Sequence, residues 1–261
     1  MQIIRVRLIS SENTKGCEKA PVEVLRKLRE IQSNEKKKPL EFDKLNLEEI
    51  HVDLRNLEEA NHLIFENSKE IFEKNFRSFF IGGDHSISYS ILRAFNKVEK
   101  VPLLVVFDAH TDCLDSERLE ERNWLRKLVE AGFNDKRIIL ISSRNFHEKE
   151  IYFLKKLGIR VIGPDILQED LEGICDLVME KARLSTGFYI SIDIDCLDPA
   201  YAPGTVYLEP GGLSSRDLIY FVKRLSLLEN FKGADIVEIN PDKDFNNMTI
   251  KLGAKLLAEM I

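Results

Sequence analysis

Four short segments of this 261-residue chain gather side chains that could do chemistry: Gly82-Gly83-Asp84-His85-Ser86, Asp108-Ala109-His110-Thr111-Asp112, Asp193-Ile194-Asp195-Cys196 and Glu238-Ile239-Asn240-Pro241. Asp108, His110 and Asp112 recur with period two, as do Asp193 and Asp195, so on extended backbone each set points to one face. With His85 they make six candidate metal ligands. Four carboxylates crowded into one pocket repel each other and lose hydration, so something positive must sit among them. The bland alternative, an ion-free hydrogen-bonded cluster, would carry that cost uncompensated. Four negative charges match two divalent cations. Carboxylate and imidazole ligands without thiolate favour Mn²⁺ over Zn²⁺ or Mg²⁺, and leave Co²⁺, Fe²⁺ and Ni²⁺ open.

Two such cations about 3.5–4 Å apart clamp a water and lower its pKa toward neutrality, giving a hydroxide for attack on an electron-poor carbon or phosphorus. Glu238 adds a fifth carboxylate. Five carboxylates, two dications and one hydroxide leave a formal charge of −2, which suits a cationic substrate. A guanidinium is a flat cation whose donors fit a carboxylate side by side. Phosphoryl transfer shares the two-cation logic but wants a basic clamp on the phosphate oxygens, and apart from Arg144 none adjoins these motifs.

The elements that must position these residues are strands alternating with helices. Predicted strands are Ile3–Ile9, Ile50–Leu54, Ser78–Ile81, Pro102–Phe107, Arg137–Ile141, Arg160–Ile162, Phe188–Ile192 and Ala234–Val237. Several, such as VPLLVVF and RIILI, are apolar on both faces and therefore covered on both faces. Helical periodicity runs through Leu57–Asn75, Ser214–Leu228 and Met248–Met260. The expectation is one α/β domain over 1–261, a three-layer α/β/α fold with a mostly parallel central sheet of about eight strands. In such a sheet ligands bind beyond the carboxyl ends of the strands, where all four segments fall. Ser33–Lys44 reads as an exposed loop.

Composition narrows the class. Lys plus Arg number 38 and Asp plus Glu 44, a net charge of −6, which argues against general nucleic-acid or anionic-membrane binding. No apolar run approaches the roughly 20 residues that span a bilayer. The opening MQIIRVRLISSEN lacks a signal-peptide core. Four dispersed cysteines without a CxxC pair suit a reducing compartment. The expected location is cytoplasmic.

GGDHS, DAHTD, SIDIDCLDPAYAPGT, DIVEINPDKD before a terminal helix, and KGCEKAPVEVLRKL near the start together resemble the ureohydrolase family, which includes arginase and agmatinase, over nearly the whole chain. The resemblance implies an arginase-like fold with two Mn²⁺ per chain, assembled as a homo-oligomer (trimer or hexamer). It implies that His85 and Asp112 hold one metal, His110 and Asp195 the other, and that Asp108 and Asp193 bridge them. Asp112 would orient the hydroxide and pass its proton to the leaving amine, and Glu238 would grip a small cationic guanidino substrate. The implied reaction is hydrolysis to urea and an amine, with agmatine to putrescine as the expected case. The alternatives are a formimino or other guanidino C–N hydrolase, arginase included, or a catalytically weak binding homologue.

Two departures stand out. In CLDSERLEERN (113–123), Glu121 falls where the family has a His, and the Ser- and Asn-rich loop of arginases is missing. PGTVYLEPGG replaces PGTGTPxxGG, so Tyr207 and Glu209 are expected to reshape the substrate mouth. Arg144 and Asn145 end a strand near the pocket and are assigned to substrate contact, with loop structure as the alternative. Cys113 and Cys196 should point away from the metals into the core, His147 reads as a helix-start surface residue, and Asp84 as a residue that positions its neighbours.

Overall fold

The computed structural model describes residues 1–74 and 77–261. Among these, eight strands form one sheet: β1 (Gln2–Val6), β2 (Asn46–Ile50), β3 (Ser78–Gly82), β4 (Pro102–Phe107), β5 (Ile138–Ile141), β6 (Arg160–Ile162), β7 (Gly187–Asp193) and β8 (Phe231–Val237). Their order is β2-β1-β3-β8-β7-β4-β5-β6, and every pairing is parallel. The helices are α1 (Ala20–Leu28), α2 (Leu57–Glu73), α3 (Ile87–Val98), α4 (Trp124–Glu130), α5 (Glu148–Leu157), α6 (Pro164–Glu169), α7 (Leu171–Arg183), α8 (Ser215–Leu225) and α9 (Met248–Met260).

The two-sided apolar strands do what their pattern dictates. Alternate residues of β4 divide between two cores, Leu103, Val105 and Phe107 on one face and Leu104 and Val106 on the other. The first face is covered by α1, α6, α7, α8 and α9, the second by α2, α3, α4 and α5. This is the expected three-layer α/β/α arrangement, with eight strands. Cys196 belongs to the first core and Cys113 to the second, away from solvent as alternation predicts. α8 starts on a reciprocal cap between Ser214 and Asp217, and α5 on one between His147 and Glu150, which explains the helix-start histidine.

Three strands differ from expectation by three residues or more, one of them β8, which begins at Phe231 rather than Ala234 because Phe231 and Gly233 already pair with β7. β2 spans Asn46–Ile50 rather than Ile50–Leu54, because this edge strand has only β1 to pair with and the register ends at Val6↔Ile50. The apolar Val52 packs on the core from a turn in which Asp53 accepts the Arg55 N–H. β1 stops at Val6 rather than Ile9, because the carbonyls of Val6 and Leu8 turn to accept the N–H groups of Gly83 and Asp84. The helix expected over Leu57–Asn75 ends at Glu73, and Asn75 lies outside the described residues. The Ser33–Lys44 segment is largely exposed, closed by a Ser33–Pro39 bridge.

Candidate metal centre

The four chemistry-bearing segments leave the carboxyl ends of β3, β4, β7 and β8. These are the four central strands, contiguous in the order β3-β8-β7-β4. That adjacency, invisible in the sequence, brings residues more than 150 positions apart into one pocket. His85, Asp108, Asp112, Asp193, Asp195 and Glu238 are each less than a tenth exposed, and so is His110.

Two groups of metal-type ligands result, His85 with Asp108 and Asp193, and His110 with Asp108 and Asp195. Asp108 is shared. His85 Nδ1 lies 3.2 Å from Asp108 Oδ2, 3.1 Å from Asp112 Oδ2 and 3.2 Å from Asp193 Oδ2. His110 Nδ1 lies 3.0 Å from Asp195 Oδ2 and 3.5 Å from Asp108 Oδ1. The six candidate ligands therefore converge, with Asp112 joined to the first group through His85. Of the two carboxylates expected to bridge, Asp108 faces both imidazoles, and Asp193 belongs to the first group.

Backbone geometry aims the carboxylates. Oδ1 of Asp108 accepts the His110 N–H at 2.7 Å, and Oδ1 of Asp193 accepts the Asp195 N–H at 2.8 Å. Oδ1 of Asp195 accepts the Ala109 N–H at 3.1 Å, which ties the β7 end to the β4 end. In each case one oxygen is anchored and the other is free to face the centre. Asp112 and Glu238 sit at φ 47° and 64°, in the left-handed region that side chains rarely adopt. Such strain persists where the surroundings enforce it, and commonly at working sites.

A cation fits what these atoms leave undone. His85 Nδ1 and Asp195 Oδ2 are buried and make no aligned hydrogen bond despite their close carboxylate and imidazole neighbours. The His85 tautomer explains the first. Ser191 Oγ donates to Asp235 Oδ1 at 2.7 Å, so it accepts from His85 Nε2, 2.9 Å away. The ring proton is then on Nε2, and the Nδ1 lone pair faces the carboxylates. A lone pair and three carboxylates turned on one gap make a donor set for a divalent cation, the histidine being backed by Asp235 through Ser191.

Electrostatics agree. Burial would lower the His85 and His110 pKa values, but the aspartates crowded around each ring carry both well above the ordinary value, so without a cation the pocket would draw protons instead. Asp108 is held well down against its burial by the two imidazoles. Burial, and then the charge of Asp108, push Asp112 up to about 7. Burial, and then Asp195 and Asp108, push Asp193 well up. The carboxylates outnumber the cationic groups available to them, as expected where a further positive charge belongs.

Glu238 closes one side. Its Oε1 accepts the His85 N–H at 2.8 Å, its own N–H donates to Gly83 O, and Cys17 Sγ lies 3.8 Å from Oε2. Burial, with Asp193 and Asp84 nearby, pushes its pKa well up. On the other side, Trp124 Nε1 donates to Asp112 Oδ2 at 2.7 Å, and its ring lies 4.6 Å from that of His85. Asp84 turns away from the pocket, accepting from Ser10, Thr14 and Ser86, as a positioning residue should. Glu121 is buried between Ser10 Oγ and Tyr207 Oη, each 3.3 Å away, and burial raises its pKa.

Arg144 and Asn145 are placed differently from a substrate contact. The Arg144 guanidinium donates to the backbone carbonyls of Ser142, Asp195, Cys196, Leu197, Glu209 and Pro210. Asn145 Nδ2 donates to Glu209 Oε1 at 2.5 Å. The structure thus favours the loop-holding alternative for both. Ser191, Asp235 and Trp124 were not singled out in the sequence. The one available signal was Asp235, a carboxylate inside the apolar strand GADIV.

An all-parallel sheet whose central strand ends carry two histidine–aspartate groups has, at one sheet edge, the side chains that could hold a pair of cations. The model of the arginase family matches residues 3–261. Among curated proteins, the chain is 33% identical over 208 residues to the mitochondrial arginase 1 of Arabidopsis thaliana, which covers 76% of this chain and 58% of that protein. It is 33% identical over 230 residues to the guanidinobutyrase of Pseudomonas aeruginosa, covering 84% of this chain and 72% of that one. The chain thus spans just under three fifths of the plant arginase. Among solved structures, the formimidoylglutamase of Bacillus subtilis superposes with a TM-score of 0.91 over 99% of this chain and 85% of that one, at 24% identity, which speaks to the fold. The chain belongs to the arginase family.

Proposed function

We propose that this chain is a binuclear metal hydrolase, one folding unit over 1–261, that cleaves a guanidino C–N bond to release urea and an amine, agmatine to putrescine being the leading case. The observation that carries this reading is the pair of histidine–aspartate groups sharing Asp108, with the carboxylate of Glu238 beside them. Mn²⁺ is the cation the mixed imidazole and carboxylate set favours. When bound, such a pair supplies a water of lowered pKa. The protein's own residues do the rest. His85, Asp108, His110, Asp112, Asp193 and Asp195 are the holding groups. Glu238 binds the guanidinium through a charge-assisted hydrogen bond. Asp112, pinned by the Trp124 N–H, would take a proton from the attacking water and return it to the leaving amine.

Two relatives of different substrate, the guanidinobutyrase and the Bacillus subtilis formimidoylglutamase (28% identical over 81% of this chain), keep a formimino or guanidino-acid reading as the second choice. The test is a panel of agmatine, arginine, guanidinobutyrate, guanidinopropionate and formiminoglutamate with Mn²⁺-loaded protein. Urea from agmatine supports the first reading. A formimino substrate consumed without urea selects the second, and no turnover of any across a wide pH range sinks both. Assembly as a trimer or hexamer belongs to the same proposal and is measured by light scattering. Among the described residues no helix is long and apolar enough to cross a membrane.

A further inference from the structure

We propose that Glu209 is a positioning residue for the second cation site: it fixes His110 as a ligand, and the loop 203–212 that carries it thereby sets the affinity of that site. The inference rests on the two-cation reading above and extends it to residues outside the ligand set.

The argument starts from His110. Its Nδ1 faces Asp195 and Asp108, and its Nε2 lies 3.3 Å from Glu209 Oε1. A neutral imidazole has one N–H and one lone pair. An ionised carboxylate can only accept, so Glu209 holds the proton on Nε2 and leaves the Nδ1 lone pair toward Asp195. Asp195 Oδ2 is buried and unmet although it lies 3.0 Å from Nδ1, so Nδ1 donates no aligned hydrogen bond to it, as this tautomer requires.

Glu209 is itself aimed. Asn145 Nδ2 donates to the same oxygen that faces His110, and Arg144 Nη2 donates to the Glu209 backbone carbonyl at 2.6 Å. That same Nη2 donates to the Asp195 carbonyl at 2.8 Å. One guanidinium therefore ties together the two segments that flank His110, the turn bearing Asp195 and the loop bearing Glu209. The Asp198 carboxylate pins the loop again through the Gly211 N–H at 2.8 Å. The Tyr207 and His110 rings meet in a T-shaped arrangement, with centroids 5.6 Å apart.

The two histidines are thus backed in different ways. His85 leans on Ser191 and Asp235, both wholly buried within the sheet. His110 leans on a partly exposed carboxylate carried by a loop, its side chain 23% exposed. Partners of this kind typically alter metal affinity by 10- to 100-fold.

The test titrates metal-free full-length protein with Mn²⁺ by calorimetry and measures bound manganese after gel filtration, so urea release plays no part in the readout and a wrong substrate leaves the test intact. Wild type should take up two ions. Glu209→Ala and Asn145→Ala should weaken one of the two sites roughly 10- to 100-fold while leaving the other unchanged. Glu209→Gln, whose amide oxygen can still accept from Nε2, should recover much of the loss, and guards against a Glu209→Ala protein that fails to fold. Ser191→Ala should weaken the opposite site. Two ions bound by Glu209→Ala with wild-type affinities, even with altered KM, would overturn the proposal in favour of a substrate contact. Equal weakening of both sites would overturn it in favour of general loop structure.

Discussion

At the scale of the residue, the centre is a set of half-satisfied carboxylates. Asp193 lends one oxygen to the Asp195 N–H and turns the other toward His85. Asparagine keeps the anchored contact and removes the charge. Asp193→Asn should therefore abolish urea release and the thermal stabilisation given by Mn²⁺. In the metal-free state it should melt no lower than wild type, because a buried like-charge repulsion has been relieved. Calorimetric melting of both proteins with and without Mn²⁺ checks this, and a full Mn²⁺ response in the variant would contradict the ligand role. The ligand candidates were legible because strand-end residues at spacing two must share a face. Their partners were not. Ser191 and Asp235 are 44 positions apart, and Asp112 and Trp124 meet only because the 113–123 loop folds back. Arg144 shows the limit in the other direction: its charge suggested substrate, whereas six backbone carbonyls consume its donors.

At the scale of the element, position follows from close packing where strands end. A methyl group at Gly83 would run into the backbone carbonyl of Leu8. The Gly83 carbonyl also accepts from the Glu238 N–H. Gly83→Ala should cost about 1–3 kcal/mol and displace both His85 and Glu238, so activity should fall more than stability alone explains. Urea denaturation beside kinetics at a temperature where the variant is folded separates the two effects. A second element-level device is Glu35, from the largely exposed 33–44 loop, which meets Arg216 and Lys223 of α8 at 2.8 and 2.9 Å. The Lys223 hydrogen bond, with Arg216 beside it, holds the Glu35 pKa below its ordinary value. An acid depressed in the folded state stabilises above its unfolded pKa and loses that contribution as pH falls through the folded one. Glu35→Gln should thus cost up to about 1 kcal/mol at pH 7, and the gap should close as pH drops below roughly 4. Chemical denaturation at pH 7 and pH 3.5 measures it; a gap that widens at low pH refutes the assignment. The layers and seven of the strands were readable from apolar patterning. β2 was misplaced because an edge strand takes its limits from its neighbour's register, which periodicity does not encode.

At the scale of the whole molecule, the pocket's excess negative charge links folding to cation binding. An ion present at a hundred times its Kd adds about 2.7 kcal/mol to the folded state. In a chain of this size that is roughly 5–10 °C in Tm. Chelation should lower Tm by at least that amount and Mn²⁺ should restore it, as differential scanning calorimetry would show; an unchanged Tm would count against a built cation site. The sheet order also bears on biogenesis. β8 inserts between β3 and β7, and Glu238 at its end both receives the His85 amide and leans on Gly83. A nascent polypeptide still lacking residues 231–238 on the ribosome would have every histidine and aspartate of the centre yet no way to bring the β3 end against the β7 end. The proposed His85 site is therefore completed only once β8 has joined the sheet, whereas the Asp108–His110–Asp195 group, carried by the directly paired β4 and β7, needs no β8 to form.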